Sequence, residues 1–327
     1  MSQSPASFAK LLAPMQSDTF FKRHWENEPL HICRSQPDFY ASLLTSHDVE
    51  QAISSGGLRY PAIQIARGGR FFSPEAFTRT IRSGGDLFTG IPDLDRVRAE
   101  YEGGATISLP GFHRAWKPLG ALAQAVEREF NHPVHTNVYI TPGKAAGFTP
   151  HYDTHEVFVL QIAGTKHWRI ENPPLRLPHR SQPFDSRAYK PSAPLLELDL
   201  APGDLLYLPR GFVHSTMTIS ESASIHVTLG ITMYTWVELL AAWAELSRHT
   251  PSLRRALPPG FAGRKDFGRS LAHGLRQAIT ELQQMTDYDT FLDSFSQRVR
   301  SAGSRIQQHF SVDAKVFGEP AIGRDHP

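Results

Sequence analysis

A series of short β-rich segments between residues 135 and 232 constrains the fold more than any other feature of the sequence. Pro, Gly, Asn and Asp separate these segments, which span 135–142, 156–164, 166–172, 195–200, 203–211, 213–219 and 224–232. Many short strands with turn residues between them are typical of a sandwich or barrel, and not of a parallel α/β sheet. The sequence shows neither a β-α-β alternation nor a glycine-rich phosphate loop, so nucleotide binding by those routes is not expected.

Two other regions flank the β-rich region, which is taken as residues 101–235. Residues 1–100 mix short helical and strand-like patterns and are predicted to form a mixed α/β region that covers the barrel. Residues 236–327 carry helical patterns and are predicted to form a helical domain that mediates a homodimer. An apolar stripe at helical spacing opens this region, formed by Trp236, Leu239, Leu240 and Trp243. The alternative is that the stripe packs on the barrel of its own chain.

Composition places the chain among ordinary globular proteins. It has 327 residues and a formal net charge of +2, which gives no reason to expect nucleic acid as a partner. A single cysteine, Cys33, excludes an internal disulfide framework and a cysteine-rich zinc site. No segment approaches the roughly 20 apolar residues that span a bilayer, and the N-terminus shows no signal-peptide pattern. A cytoplasmic protein without a membrane partner is therefore predicted.

The stretch from Thr149 to Gln161, TPHYDTHEVFVLQ, places two histidines and an aspartate within five positions. On a helix, His151 and His155 would share a face, as in zinc proteases, but those need Glu directly after the first histidine and Tyr152 stands there. Pro150 before the pair and the apolar run after it favour a strand. On a strand, His151 and Asp153 point to the same side.

A third ligand for a metal would come from another strand, and His214 is the best candidate. It follows the turn Pro209-Arg210-Gly211 and opens the next β-rich segment. Two histidines and one carboxylate occupy one face of an octahedron and leave the other positions open, as in non-haem Fe(II) oxygenases. A structural zinc site would more often be closed by four Cys or His ligands.

The segments Asn137–Ile170 and Gly203–Thr216 carry several motifs in a fixed order: N-x-Y-x-T-P, H-x-D, F-x-L-Q-x-x-G-x-K-x-W and GDLLYLPRGFVHST. Over roughly residues 105–260 the chain resembles the JmjC-type oxygenases, closest to the ribosomal oxygenase (cupin-like) branch. The resemblance implies a mainly β core with helices, namely a double-stranded β-helix of the jelly-roll or cupin-like JmjC type. It also implies binding of Fe(II) and the cosubstrate 2-oxoglutarate.

The resemblance also assigns roles to individual residues. The metal positions fall on His151, Asp153 and His214. Lys166 takes the basic position that pairs with the distal carboxylate of 2-oxoglutarate, and a buried dicarboxylate needs such a fixed cation. Asn137 and Tyr139 match polar contacts to the cosubstrate, and Thr228 matches a residue that lines the same pocket. The alternative for Lys166 is a solvated lysine in a hairpin.

Three other histidines are predicted to lie outside the site. His155 is not expected to bind the metal or the cosubstrate. His167 should face away from Lys166 because neighbouring residues on a strand alternate, and His226 is interpreted as a core histidine whose hydrogen bonds are satisfied. The implied reaction is hydroxylation of a side chain on a protein or peptide. A 2-oxoglutarate-dependent hydroxylase of an amino-acid-like small molecule and a catalytically inactive interaction module are the alternatives. Residues 264–327 are predicted to be helical, without the wing-like strands of the winged-helix module that follows the barrel in that branch.

Overall fold

The computed structural model describes residues 7–257, 259, 261 and 267–306. The chain divides into two units, residues 1–241 and 242–327. The strands of the first unit are β1 (Leu30–Ile32), β2 (Gln64–Arg67), β3 (Arg70–Phe71), β4 (Thr78–Ser83), β5 (Asp86–Pro92), β6 (Thr106–Pro110), β7 (Val134–Thr141), β8 (Glu156–Ala163), β9 (Lys166–Glu171), β10 (Pro194–Leu200), β11 (Leu205–Leu208), β12 (Val213–Thr218) and β13 (Ser224–Ile231).

The helices lie mainly at the two ends of the chain. They are α1 (Phe8–Leu12), α2 (Ser17–Arg23), α3 (Ser46–Ser54), α4 (Leu94–Glu102), α5 (Lys117–Phe130), α6 (Trp236–Glu245), α7 (Phe267–Met285) and α8 (Tyr288–Ile306). Helix α5 buries Leu119, Leu122, Ala123 and Val126, the i, i+3, i+4, i+7 set that puts one apolar face on the core. It ends at Asn131, which adopts the left-handed conformation that closes many helices.

Two sheets form the β core. The larger has eight strands in the order β1-β11-β8-β13-β7-β6-β2-β3, and the smaller has three in the order β10-β9-β12. Strands β4 and β5 pair separately. Apolar side chains of these two sheets meet in one buried cluster. Val157 and Leu206 belong to the larger sheet, and Trp168 and Ile170 belong to the smaller. The predicted mainly β core with helices is confirmed.

Strand β7 shows how the sequence assigns its two faces. Its residues alternate between fully buried and partly buried, as the period of two requires. Antiparallel pairing with β13 sets Tyr139 opposite His226, Asn137 opposite Thr228, and His135 opposite Gly230. Because cross-strand partners project to the same face of a sheet, this face carries a continuous row of polar side chains.

A buried ionic network joins the segment after α2 to the β core. Nη1 of Arg210 lies 2.6 Å from a carboxylate oxygen of Glu26 and 2.7 Å from one of Glu156. The hydroxyl of Tyr207 donates to Glu156 at 2.5 Å and accepts from the backbone N–H of Glu26. Burial raises the pKa of Glu156 to about 7, although Tyr207 and Arg210 both act to lower it. Each charged group of this network has a protein partner.

The second unit is mainly helical over its described residues, with turns and irregular backbone at 250–257, 259 and 261. The indole Nε1 of Trp243 donates to Thr286 at 2.8 Å, which ties the end of α6 to the turn before α8. Several large apolar side chains of the helices after residue 235 are exposed, among them Trp236 at 77% and Leu275 at 63%. Residues 307–327 of the predicted helical region lie outside the described residues. Among those that are described, no helix combines the length and the apolar character needed to cross a membrane.

Candidate metal and cosubstrate site

His151, Asp153 and His214 converge at one point of the β core. Each offers one ligand atom, and these atoms all lie within 4.8 Å of one another. The Nε2 of His214 is 3.7 Å from Oδ2 of Asp153, and the rings of His151 and His214 have centroids 4.5 Å apart. The structure therefore brings together the three residues that the sequence singled out as a metal-binding set.

Backbone pairing explains this convergence. The N–H of Gly147 donates to the carbonyl of Thr216, and His151 and His214 exchange two backbone hydrogen bonds of 3.1 and 2.8 Å. The approach is close at Gly147, where a Cβ would lie 2.2 Å from the hydroxyl of Thr216. The predicted strand is wrong in detail, because His151 forms only an isolated bridge. The chain bends before β8, and the carbonyl of Asp153 accepts instead from Gly211.

Both histidines of the set are oriented through their Nδ1 atoms. Nδ1 of His151 lies 2.7 Å from the carbonyl of Thr149, and Nδ1 of His214 lies 3.1 Å from the carbonyl of Phe212. A proton on Nδ1 satisfies each carbonyl and leaves the lone pair of Nε2 free for a metal. Burial lowers the pKa of His214 to about 4, so its imidazole is neutral near pH 7.

Asp153 is ionised in this environment. Burial opposes its charge, but electrostatic interactions with His155, His214 and His151 outweigh that effect and lower its pKa. The set therefore offers a carboxylate beside imidazole nitrogens. This donor chemistry fits the facial triad of a non-haem iron site, which holds the metal from one side.

Lys166 lies at the start of β9 and is only 1% exposed. Its Nζ donates to the hydroxyl of Thr141 at 2.8 Å, and no ion pair to it exists among the described residues. Burial alone lowers its pKa to about 7. The alternative of a solvated hairpin lysine is therefore wrong. A buried ammonium group without a counter-charge is costly, and an anionic ligand would supply the missing partner.

The other three predicted cosubstrate contacts lie together on the polar face of β7 and β13. The amide nitrogen of Asn137 lies 3.4 Å from the hydroxyl of Tyr139, and Asn137 also accepts from the backbone N–H of Gly111. Thr228 faces Asn137 across the strands and hydrogen-bonds Tyr139. Burial raises the pKa of Tyr139 to about 12, so it is a neutral donor at physiological pH.

Three further buried residues, which the sequence did not indicate as site residues, lie next to Lys166 and Tyr139. Trp168 is two residues after Lys166 on β9, and Thr218 is the partner of Lys166 on β12. The ring of His226 stacks on Tyr139 and contacts the edge of Trp168. Trp168 Nε1, Thr218 Oγ1 and His226 Nδ1 are buried without a hydrogen-bond partner among the described residues. Polar atoms buried in this way need a partner, which a polar ligand would provide.

The three histidines that were predicted to lie outside the site differ in their surroundings. His167 lies on the face of β9 away from Lys166, as predicted, and its Nδ1 is 2.7 Å from a carboxylate oxygen of Asp199. The interpretation of His226 as a satisfied core histidine is wrong, because its Nδ1 has no partner in the described structure. His155 lies beside the metal-binding set, with Nδ1 4.0 Å from Oδ1 of Asp153. Its position in a bend before β8 explains why strand alternation did not reveal this proximity.

Comparison with known proteins identifies the class of this fold and site. Residues 113–239 match the family model described as the JmjC domain. The chain is therefore a JmjC-domain protein, as its motifs predicted. It is 36% identical over 234 residues to ribosomal oxygenase 2 of Mus musculus, covering 69% of this chain and 47% of that protein. It is 32% identical over 224 residues to a bifunctional lysine-specific demethylase and histidyl-hydroxylase NO66 of Drosophila persimilis. That match covers 68% of this chain and 31% of that protein.

A solved structure shares the fold. The ribosomal oxygenase YcfD of Escherichia coli superposes with a TM-score of 0.54 at 16% identity, over 86% of this chain and 71% of that chain. The chain spans about a third to a half of the length of the two curated relatives described above. The similarity in sequence to ribosomal oxygenase 2 and in fold to YcfD confirms the resemblance to the ribosomal oxygenase branch.

Proposed function

We propose that this protein is an Fe(II)- and 2-oxoglutarate-dependent oxygenase that hydroxylates a side chain on a protein or peptide. One observation carries the proposal: a His-Asp-His set and a buried, uncompensated lysine occupy the same β core. The first offers the ligands of a facial iron site, and the second offers a cation for a carboxylate. A catalytically inactive module would have no need to keep a buried lysine without a counter-charge.

The two sheets that share the buried cluster would form the walls of a double-stranded β-helix, of the jelly-roll or cupin-like type. Trp168 and Ile170 of β9 meet Val157 and Leu206 of the larger sheet in that cluster. The polar row on β7 and β13 would then face the interior of the barrel. This arrangement would place the ligand-binding groups in a site shielded from bulk water, where charged contacts are strong.

In this proposal His151, Asp153 and His214 hold the iron. Iron with 2-oxoglutarate and oxygen supplies the oxidation of an unactivated C–H bond and the conversion of 2-oxoglutarate to succinate. Lys166 pairs with the distal carboxylate of the cosubstrate. The protonated hydroxyl of Tyr139 donates a hydrogen bond to the cosubstrate.

Asn137 and Thr228 orient Tyr139 by the contacts described above and complete the polar wall. The unpaired N–H of Trp168 and hydroxyl of Thr218 are further donors on the Lys166 side of the pocket. Burial, reinforced by the charge of Lys166, lowers the pKa of His226 well below its usual value, so the imidazole stays neutral. A neutral His226 leaves Lys166 as the cation of this wall.

The names of the relatives support a polypeptide substrate. They are described as ribosomal oxygenases and as a histidyl-hydroxylase, and YcfD has been solved with cobalt and 2-oxoglutarate. By this proposal the chain acts in the cytoplasm, which suits its single, exposed and free cysteine, Cys33.

We also propose a homodimer through the helices after residue 235. The exposed apolar side chains Trp236 and Leu240 of α6 and Leu275 of α7 support it. Light scattering at micromolar concentration is expected to give a dimer for the wild type and a monomer for a Trp236→Glu, Leu275→Glu variant. A monomeric wild type would instead favour packing of the stripe on its own chain.

The function is tested by following succinate release from 2-oxoglutarate with Fe(II) and a host lysate. Mass spectrometry is expected to find a gain of one oxygen on peptides of that lysate. Oxygen gain on metabolites without a modified peptide would favour the small-molecule hydroxylase. Absence of iron-dependent 2-oxoglutarate turnover under all these conditions would reject the oxygenase and favour the interaction module.

A further inference from the structure

The two carboxylate oxygens of Asp153 face different histidines. Oδ2 lies 3.7 Å from Nε2 of His214, on the side of the metal-binding set. Oδ1 lies 4.0 Å from Nδ1 of His155, which is not a member of that set. One oxygen is therefore directed to the metal position and the other to His155.

The ring of His155 contacts a second histidine, His135, on the polar face of β7. The rings of His135 and His155 have centroids 4.9 Å apart. His135 is on the same face of β7 as Asn137 and Tyr139, two and four positions earlier in the strand. The pair thus extends the polar row of the cosubstrate wall toward Asp153.

Gly230 provides the space for this pair. It is the cross-strand partner of His135 on β13. A Cβ at Gly230 would lie 2.4 Å from Cε1 of His135 and 2.5 Å from Cδ2 of His155. Any side chain there would displace one or both rings, so the missing side chain is a condition for the two histidines to sit beside Asp153.

We infer that His155, backed by His135, is a positioning residue that engages Oδ1 of Asp153 and leaves Oδ2 for the metal. This inference rests on the proposed function. A carboxylate can bind a metal through one oxygen or through both, and an unrestrained second oxygen can take a position that the cosubstrate needs. Groups that hydrogen-bond a ligating carboxylate restrict this freedom. Their removal typically weakens metal binding by about 10- to 100-fold.

The 4.0 Å separation is longer than a hydrogen bond, so the contact must close by about 1 Å when it forms. The terminal torsions of Asp and His side chains are broad and allow such a rotation within their wells. His155 is partly exposed, with 23% of its side chain accessible, which leaves room for the movement.

Binding of Co(II) to the full chain tests the inference without relying on turnover. The dissociation constant is expected to rise about 10-fold or more in His155→Ala, the range seen when partners of metal ligands are removed. Gly230→Ala is expected to have the same effect by displacing the rings. His155→Asn retains an N–H donor near the position of Nδ1 and is expected to bind Co(II) within about twofold of the wild type.

The ligand-field absorption of bound Co(II) separates positioning from a general loss of structure. His155→Ala is expected to change these bands, while the unfolding temperature of the metal-free protein stays near that of the wild type. His167→Ala is the matched control, since this histidine lies on the other face of β9 and binds Asp199. It is expected to change neither affinity nor spectrum.

The outcomes distinguish this inference from the proposed function. A wild type that binds Co(II), together with His155→Ala and Gly230→Ala variants of equal affinity and unchanged spectrum, would overturn the role of His155 alone. A His155→Asn variant as weak as His155→Ala would do the same. A wild type that binds no Co(II) would instead remove the metal site on which the proposed function depends.

Discussion

Two buried cations of the first unit, Arg210 and Lys166, differ in what surrounds them. Arg210 is 6% exposed and contacts carboxylates of both Glu26 and Glu156. Lys166 is 1% exposed, and within the described structure its Nζ has the hydroxyl of Thr141 as its partner and no carboxylate. Burial acts on both, but only Arg210 is compensated by opposite charge inside the protein.

The difference suits a structural role for Arg210 and the proposed ligand-binding role for Lys166. Removing one member of a compensated buried pair leaves the other member unpaired and is strongly destabilising. An uncompensated buried cation already lowers the stability of the folded state, and it persists where a function requires it. The Lys166 region should therefore respond to substitution through ligand binding, and the Arg210 region through stability.

The largest effect is expected at the metal end of the Lys166 region. His151→Ala, Asp153→Ala and His214→Ala should each reduce 2-oxoglutarate turnover to background, because each removes one of three ligands. The far-UV circular dichroism and the unfolding midpoint should stay close to those of the wild type. Near-normal turnover with iron still bound in any one variant would exclude that residue from the site.

Replacement of Arg210 should instead unfold the protein more easily. Arg210→Met leaves Glu156 buried without its cation, and the free energy of unfolding should fall by about 3–5 kcal/mol in urea titrations. Arg187→Met is the control, because Arg187 is 91% exposed and its ion pair with Asp185 should contribute less than about 1 kcal/mol. Equal losses in the two variants would contradict the structural role of the buried network.

Lys166→Met should give the opposite profile. The affinity for 2-oxoglutarate should fall about 10- to 100-fold, the equivalent of roughly 1.5–3 kcal/mol for a charge-assisted contact. The affinity for the metal should change little, because Lys166 is not part of the metal-binding set. Isothermal titration with each ligand in turn measures both quantities. An unchanged 2-oxoglutarate affinity would mean that a group other than Lys166 pairs with the distal carboxylate of the cosubstrate.

The sequence predicted the parts of this site that short motifs carry. The His-x-Asp pair and the turn before His214 are local patterns, and Lys166 follows them at a fixed place on the next strand. The register of β9 against β12 and of β13 against β7 is not local, so Thr218 and His226 were missed as pocket residues. The network of Arg210 was also missed, because Glu26 lies 184 residues away in the chain.

The strand assigned to His151 and Asp153 shows a different limit. Its apolar continuation is a real strand, β8, but the polar start of the motif lies in a bend. Pairing of residues near Gly147 with β12 decides the position of His151, and no periodicity in the sequence reports that pairing. The local pattern therefore singled out the three residues that the structure brings together, but it predicted the wrong backbone conformation for His151 and Asp153.

The smallest expected effect is a pH dependence of stability in the protein without cosubstrate. The folded-state pKa of Lys166 is about 7, below the ordinary lysine value of 10.5, because burial disfavours its charge. Between these values the unfolded chain binds more protons, so the contribution of Lys166 to the free energy of unfolding rises with pH. From pH 7 to pH 8 this increase should be about 1 kcal/mol.

The comparison of wild type with Lys166→Met isolates this contribution. Glu156 acts in the opposite sense, because its raised pKa of about 7 makes its stabilising contribution fall as pH rises toward that value. Its network is intact in both proteins, so its contribution cancels when the free energy of unfolding of Lys166→Met is subtracted from that of the wild type at each pH. This difference in free energy should rise between pH 7 and pH 8. With saturating 2-oxoglutarate, which supplies a counter-charge to the ammonium group, it should change less with pH. A difference that does not change with pH would show that Lys166 is already compensated in the free protein, and the contrast with Arg210 would then fail.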